Sequence, residues 1–346
     1  LDRGLTARRE RLAGPPGPHQ GVVRPRPDVV DPRRNESLVL SASRLQDLGS
    51  CPLRYLYGTV LRIRPPDDIE LDPDRWLDPL ARGSLLHAVF ERTLRVAREQ
   101  GVGRNDPALE RVAMGALNAE VDRTRREIPS PGEGVTRREV ASLEEDVRSF
   151  VRLIREEGAP WVKLELLFGI GDSEPVLLDV AGGSIRLRGA IDRVDENLEG
   201  LHVVDYKTGV PRDFAPSAGA FNGGRRLQHA VYAVAAERIL GGQVVTGAYH
   251  FPTRRGENAI HNFGRLDMAG AGDLLGHMLD GVSAGTFVPT DDGSDCRFCD
   301  FAEVCRVRTG DWGKTDSPLA DWAAEHLNAG LQPAFAHLRK VRTFES

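Results

Sequence analysis

Residues 185–197 read Ile-Arg-Leu-Arg-Gly-Ala-Ile-Asp-Arg-Val-Asp-Glu-Asn, and after a short break residues 201–209 read Leu-His-Val-Val-Asp-Tyr-Lys-Thr-Gly. Two apolar runs with alternating character flank a turn at Asn197–Gly200, the pattern of a β-hairpin. The first strand carries Asp192. The second ends in Asp205, Tyr206 and Lys207, and Thr208-Gly209 stops it. Side chains alternate across a strand, so Asp205 and Lys207 share a face and Tyr206 takes the other. A carboxylate and an ammonium side by side at a strand end, with a second carboxylate on the neighbouring strand, can hold a divalent metal and a water. Carboxylates and a backbone carbonyl are the hard oxygen ligands that Mg²⁺ prefers. The lysine is itself informative. The chain has 46 basic residues, only four of them Lys, and Lys207 is one of the four. A chain that nearly always carries positive charge on arginine uses a compact point charge here. Asp-Tyr-Lys alone would equally suit an amphipathic hairpin with a surface ion pair.

Length and charge bound the reading. At 346 residues the chain can form one large domain or two, with a sizeable core. A net charge of −5 does not advertise a nucleic-acid binder, so any such surface has to be local. No signal peptide or membrane span is evident, which predicts a cytosolic protein. The first residue is Leu1 rather than Met, as in a fragment of something longer. Four thiols, Cys51, Cys296, Cys299 and Cys305, point in a cytosolic protein to metal binding more than to disulfides.

The combination of Gly189-Ala-Ile-Asp192-Arg with Asp205-Tyr-Lys-Thr-Gly209 resembles the PD-(D/E)XK nuclease superfamily in its RecB-like branch. That resemblance implies an α/β fold: a mixed central sheet flanked by helices, with a restriction-endonuclease-like core and a helical insertion. It also implies a Mg²⁺- or Mn²⁺-dependent deoxyribonuclease, of exonuclease type, with Asp192, Asp205 and the Tyr206 carbonyl on the metal and Lys207 at the attacking water. The phrase Ser41-Ala-Ser-Arg-Leu…Cys51-Pro-Leu-Arg-Tyr resembles the entry to the nuclease domain of AddB-type enzymes. Ser41 or Ser43 can cap a short helix there.

Outward from the hairpin, residues 1–36 hold six prolines and several arginines without a sustained period, which predicts a mostly extended linker. A nuclease domain over 37–310 follows, with a helical insertion at about 100–158 and a helical tail over 311–346. Leu85, Leu86, Val89, Phe90 and Leu94 mark a helix over 80–99. On it Gly83, His87 and Glu91 fall on one face. In RecB-like nucleases the histidine of Gly-x-x-x-His approaches the metal, so the resemblance implies that His87 is a ligand and leaves Glu91 a solvated partner. Helices over 106–127 and 136–157 carry many arginines, either a solvated face or a DNA path. Residues 162–168 read as a strand. Its Glu165 is a further ligand, an orienting group or an edge-strand glutamate.

After the hairpin, a helix to Leu240 contains Gln228-His-Ala-Val-Tyr232, similar to the family's Gln-x-x-x-Tyr motif. The resemblance implies that Gln228 and Tyr232 stand near DNA and the lysine, with Arg225 and Arg226 as DNA contacts at the helix start. Strands over 244–251 and 260–266 and a helix over 268–283 complete the domain, and the tail has a helix over 318–327.

Cys296-Arg-Phe-Cys299 and Cys305 pack three thiols into ten residues, and Cys51 is the one possible fourth. Zinc and a 4Fe–4S cluster both suit four thiolates, and spacing favours neither. One Cys before the nuclease motifs and C-x₂-C-x₅-C after them resembles the iron–sulfur staple of AddB-type nucleases and CRISPR-associated adaptation nucleases, which implies 4Fe–4S. The family context implies DNA as substrate and a helicase or helicase-like partner. A non-catalytic iron–sulfur DNA-binding module is the rival, against which stand the intact Asp192, Asp205 and Lys207.

Overall fold

In a computed structural model, the structure describes residues 2–10, 15–64, 72–157, 160–214, 219–309, 315–330 and 332–345. Helices α1 (Asp2–Glu10) and α2 (Pro27–Val30) precede strand β1 (Val39–Ser41), which runs into α3 (Ala42–Ser50) and α4 (Pro52–Tyr55). Three long helices follow, α5 (Pro79–Glu99), α6 (Ala108–Glu127) and α7 (Glu133–Glu156). Strands β2 (Trp161–Phe168), β3 (Val176–Val180), β4 (Gly183–Glu196) and β5 (Leu201–Tyr206) come next, then α8 (Gln228–Leu240), β6 (Val244–His250) and β7 (Ile260–Gly264). The chain closes with α9 (Arg265–Ala269), α10 (Ala271–Ala284), α11 (Ala302–Cys305), the short pair β8 (Arg308–Thr309) and β9 (Thr315–Asp316), α12 (Pro318–Ala329) and α13 (Ala336–Arg342).

The sheet is organised on β4, the longest strand. Its C-terminal half pairs antiparallel with β5 across the expected turn, where the Asn197 side chain accepts the backbone N–H groups of Glu199 and Gly200 at 2.8 and 3.2 Å. Its other edge takes β2 and then β3, both antiparallel, while β1 lies parallel along residues 186–188. Strand β6 is parallel to β5 and β7 antiparallel to β6. The result is a seven-stranded mixed sheet with helices on both sides, the restriction-endonuclease-like architecture that the sequence implied.

Two cores grip this sheet. One side packs Ile185, Leu187, Ile191 and Val203 against α3, α8 and α10. The other packs Val204 and Tyr206 against Leu86, Phe90, Leu117, Val147 and Phe150 of α5, α6 and α7. Tyr206 is the key of that second core, with the rings of Phe90 and Phe150 5.4 and 5.7 Å from its own. The helical layer therefore begins with α5, earlier than the insertion expected at about 100–158.

Two terminal stretches depart from the expectation. Residues 1–36 are not mostly extended: α1 and α2 lie there, with Pro27 at the first position of α2. Asp31 is fully buried, 2.8 Å from the Arg33 guanidinium and hydrogen-bonded by Ser283 of α10. A buried ion pair rather than an apolar period anchors this stretch, so hydrophobic patterning does not report it. In the tail, α13 joins the expected α12. It buries Leu338 and Val341, and Arg342 donates to the carbonyls of Gly49 and Ser50 at the end of α3. Strand β3 was not read from the sequence either. Among the described residues no helix is long and apolar enough to cross a membrane.

Candidate active site

The C-terminal end of β5, the middle of β4 and the faces of α5 and α8 enclose a cleft of about 830 Å³. Asp192, Asp205, Tyr206, Lys207, His87, Glu165, Gln228 and Tyr232 all line it. The alternation read from the sequence has its direct consequence here. Lys207 Nζ lies 2.5 Å from Asp205 Oδ2, while Tyr206 between them turns into the helical core. Lys207 also donates to Gln228 Oε1 at 2.7 Å, and Gln228 Nε2 in turn donates to the Tyr232 hydroxyl at 3.3 Å. The i, i+4 spacing on α8 thus forms a relay ending on the lysine.

Asp192 is held from two sides. Its Oδ2 accepts the backbone N–H of Tyr206 at 2.7 Å, and its Oδ1 lies 3.3 Å from His87 Nδ1. Helix α5 starts where it does because Asp78 accepts the N–H of Ala81 at 2.7 Å and Pro79 opens the first turn. One turn on, a β-carbon at Gly83 would stand 3.3 Å from Thr208 Oγ1, so the glycine lets α5 lie close against the end of β5. Gly189 has a similar cause. A β-carbon there would meet the Phe168 ring at 2.8 Å.

The electrostatics are those of acids gathered around one ammonium. Burial holds the Asp205 carboxyl above the usual carboxylate range against the pull of Lys207, and the charge of Asp192 adds to the rise. Glu165 stands across from Asp192 in the register of β2, with a left-handed φ of 46° that a non-glycine residue adopts only under constraint. Desolvation by the surrounding protein and the nearby Asp192 charge push its carboxyl up to about 7. Burial opposes protonation of His87, yet Asp192 outweighs it and raises the imidazole pKa.

Among the described residues no three His, Cys, Asp or Glu side chains already stand at metal-ligand spacing. In the cleft the reason is visible: Asp205 is turned onto Lys207, and Asp192 onto Tyr206 and His87. The donor chemistry nonetheless fits a divalent cation. Hard oxygens and one imidazole share a cleft in which the Asp192 charge raises the pKa of Asp205 and Glu165, and a cation would reverse that repulsion.

Behind the cleft lies a group that sequence reasoning missed. Arg193, 1% exposed, donates to the Tyr206 hydroxyl at 2.7 Å, to Glu157 at 2.6 Å and to Asp195 at 2.8 Å. His250 Nδ1 is 2.8 Å from the other Glu157 oxygen, and its backbone carbonyl accepts the N–H of Lys207 at 2.8 Å. The network fixes the residue between Asp205 and Lys207 from behind. Its signal in the sequence was a charge inside an apolar run, on the strand face opposite Asp192. Arg193→Met should lower the unfolding free energy by about 3 kcal/mol, because Glu157 and Asp195 would be left buried without their cation. Urea denaturation checks this, and a parental midpoint would show the network to be dispensable.

The arginines at the start of α8 stand elsewhere than expected. Arg225 is locked onto Asp295 by bonds of 2.9 to 3.2 Å. Arg226 is 2% exposed, with its guanidinium over the rings of Phe214 and Phe263. Neither lines the cleft, so their placement does not suit the DNA contacts expected of them. In the helical layer Arg123 and Arg148 pair with glutamates of their own helices, and Arg125 lies 3.6 Å from Glu133.

A second, small pocket is lined by all four cysteines together with Ser317, Leu319 and Ala320 at the start of α12. None is in a disulfide. Burial pushes the Cys51 thiol up to about 12, with Cys305 and Cys296 adding to it, and burial likewise raises Cys296 and Cys299.

A sequence model of the PD-(D/E)XK nuclease superfamily matches residues 39–306. The B subunit of an ATP-dependent helicase/deoxyribonuclease from Symbiobacterium thermophilum is 29% identical over 247 residues. That alignment covers 63% of this chain and 20% of the relative, so the chain spans about a fifth of the length of that protein.

Proposed function

This chain belongs to the PD-(D/E)XK nuclease superfamily, and we propose that it is a Mg²⁺-dependent deoxyribonuclease, an exonuclease acting in DNA end processing beside a helicase or helicase-like partner in the cytosol. The observation that carries the reading is the 2.5 Å pairing of Lys207 with Asp205 in one cleft with Asp192. The partner and the process rest on the name of the Symbiobacterium relative. The nuclease module is assigned to residues 37–310.

Asp192, Asp205, the Tyr206 carbonyl and His87 would hold the metal, with Glu165 as a further ligand or an orienting group. Mg²⁺ bound there would supply charge stabilisation for the pentacoordinate phosphate and for the leaving 3′ oxygen. The chain's own residues do the positioning. An ammonium has three donors; Lys207 spends one on Gln228 and directs another to Asp205, leaving a third for the attacking water. Tyr232 keeps Gln228 aimed at the lysine. Tyr206, pinned by Arg193, keeps its backbone N–H on Asp192.

The four cysteines are assigned to a 4Fe–4S cluster that staples the two ends of the domain. Burial raises the thiol pKa values of Cys51, Cys296 and Cys299, so assembly must expel protons. Anaerobic loading at pH 7 should therefore release at least three protons per chain, from Cys51, Cys296 and Cys299. Uptake should weaken as pH falls. Proton release followed in weak buffer checks this, and loading without release would remove the thiols as ligands.

His87→Ala should shift the Mg²⁺ titration of cleavage to higher metal while leaving thermal stability close to the parent's. A parental titration with a lowered Tm would make His87 a packing residue. The reading as a whole is tested by incubating the purified chain with an end-labelled oligonucleotide and Mg²⁺. Products with 5′-phosphate and 3′-hydroxyl ends are expected. Binding without cleavage at any divalent metal would favour the non-catalytic DNA-binding module.

A further inference from the structure

A second groove of about 540 Å³ opens from the catalytic cleft, and Pro79, Gly83, Thr208 and Gly209 line both. Its other walls are the first turns of α5, the middle of α7 and the β6–β7 turn that carries Arg254 and Arg255. The two spaces differ sharply in charge. The cleft gathers Glu91, Glu165, Asp192 and Asp205 around Lys207. The groove presents Arg82, Arg254 and Arg255, of which Arg82 is paired with Asp146 and Glu139 and Arg254 with Glu145. In a chain of net charge −5, Arg255 is the positive charge left unbalanced among the described residues beside the acidic site.

The turn is built to hold its arginines still. The backbone N–H of Arg254 donates to Asp146 Oδ1 at 2.8 Å, and Ser149 Oγ donates to Asn258 Oδ1 at 2.6 Å. Glu257 and Asn258 take left-handed φ values of 57° and 54°, and a β-carbon at Gly256 would stand 2.6 Å from Phe251. Arg82 occupies the acids of the groove, 2.7 Å from both Asp146 and Glu139. Among the described residues Arg254 pairs with the exposed Glu145 alone. Arg255 is exposed and has no hydrogen-bond or ion-pair partner among the described residues.

We infer that this groove carries the DNA strand away from the scissile bond, with Arg255, and Arg254 after exchange of Glu145, contacting the next phosphates. An exposed guanidinium on a fixed turn, with no partner among the described residues, suits a polyanion that enters the neighbouring acidic centre at a single phosphate. The inference rests on the nuclease reading for the position of the scissile phosphate, but its test does not need turnover.

The test measures binding of a single-stranded oligonucleotide by the full chain carrying Asp205→Asn, with and without Arg255→Ala, across a salt series. Loss of one phosphate contact should weaken binding several-fold and flatten the plot of log K against log salt by about one unit. Arg255→Lys should restore most of the slope, and Arg255→Glu should weaken binding further than alanine. Arg255 is exposed and has no partner among the described residues, so these variants should fold. Identical affinity and slope for the Arg255→Ala, Arg255→Glu and parent proteins would overturn the inference. Failure of the parent chain to cleave DNA would instead remove the nuclease reading, and the salt slope would still judge the groove.

Discussion

Asp205→Asn should lower single-turnover DNA cleavage by roughly a thousandfold or more, the effect of forfeiting several kcal/mol of transition-state stabilisation with one metal ligand. The substitution keeps the size of the side chain and removes its charge. Asp205 is 5% exposed, and Lys207 would keep its bond to Gln228, so the fold and DNA affinity should survive. Asp192→Ala and Lys207→Ala should fall in the same range for different reasons. The first removes the carboxylate that the Tyr206 N–H orients, and the second removes the ammonium proposed to position the attacking water. Rates fitted at saturating enzyme separate these effects from binding. A parental rate in Asp205→Asn would take the chemistry out of this cleft.

The second large effect is expected at Cys51. This residue precedes every catalytic motif, while Cys296, Cys299 and Cys305 follow them all, so a shared cluster closes a loop of about 245 residues. Treated as a crosslink in the chain-entropy model, the closure contributes roughly 5 kcal/mol, an upper figure because real crosslinks often deliver less. That is comparable to the stability of many whole domains. The structure adds a local reason. Arg342 of α13 holds the carbonyls just before Cys51, and α12 lines the cysteine pocket, so loosening the pocket loosens the tail as well. The anaerobically purified parent should be brown, with about four irons per chain. Cys51→Ala should be bleached, melt at lower temperature and become protease-sensitive, with cleavage and DNA binding falling together. Stoichiometric zinc without iron, or a bleached variant that melts and cuts like the parent, would contradict the staple.

What could be read from the sequence follows the physics of short repeats. Period-2 alternation put Asp205 and Lys207 on one face, and they meet at 2.5 Å. A spacing of four put Gln228 and Tyr232 together, with Gln228 bonded to the lysine and Tyr232 bonded to Gln228. Residues distant in sequence were harder. Glu157, Arg193 and His250 converge only because α7, β4 and β6 come together in the fold, and no local period encodes that. The surroundings of Arg225 and Arg226 are likewise set by distant residues. The resemblance implied DNA contacts for both, whereas Arg225 lies on Asp295 and Arg226 on the rings of Phe214 and Phe263. Arg254 and Arg255 drew no attention because their turn is shaped by α7, more than a hundred residues upstream.

The central claim is that Asp192, Asp205 and Lys207 form a metal-dependent phosphodiesterase centre. Its most direct test mixes the purified chain with a labelled oligonucleotide in EDTA, starts the reaction with excess Mg²⁺, and follows the first turnover beside Asp205→Asn. No cleavage is expected before Mg²⁺, a burst after it in the parent, and no burst in the variant. Equal cleavage by both proteins, or cleavage by the parent that persists in EDTA, would contradict it.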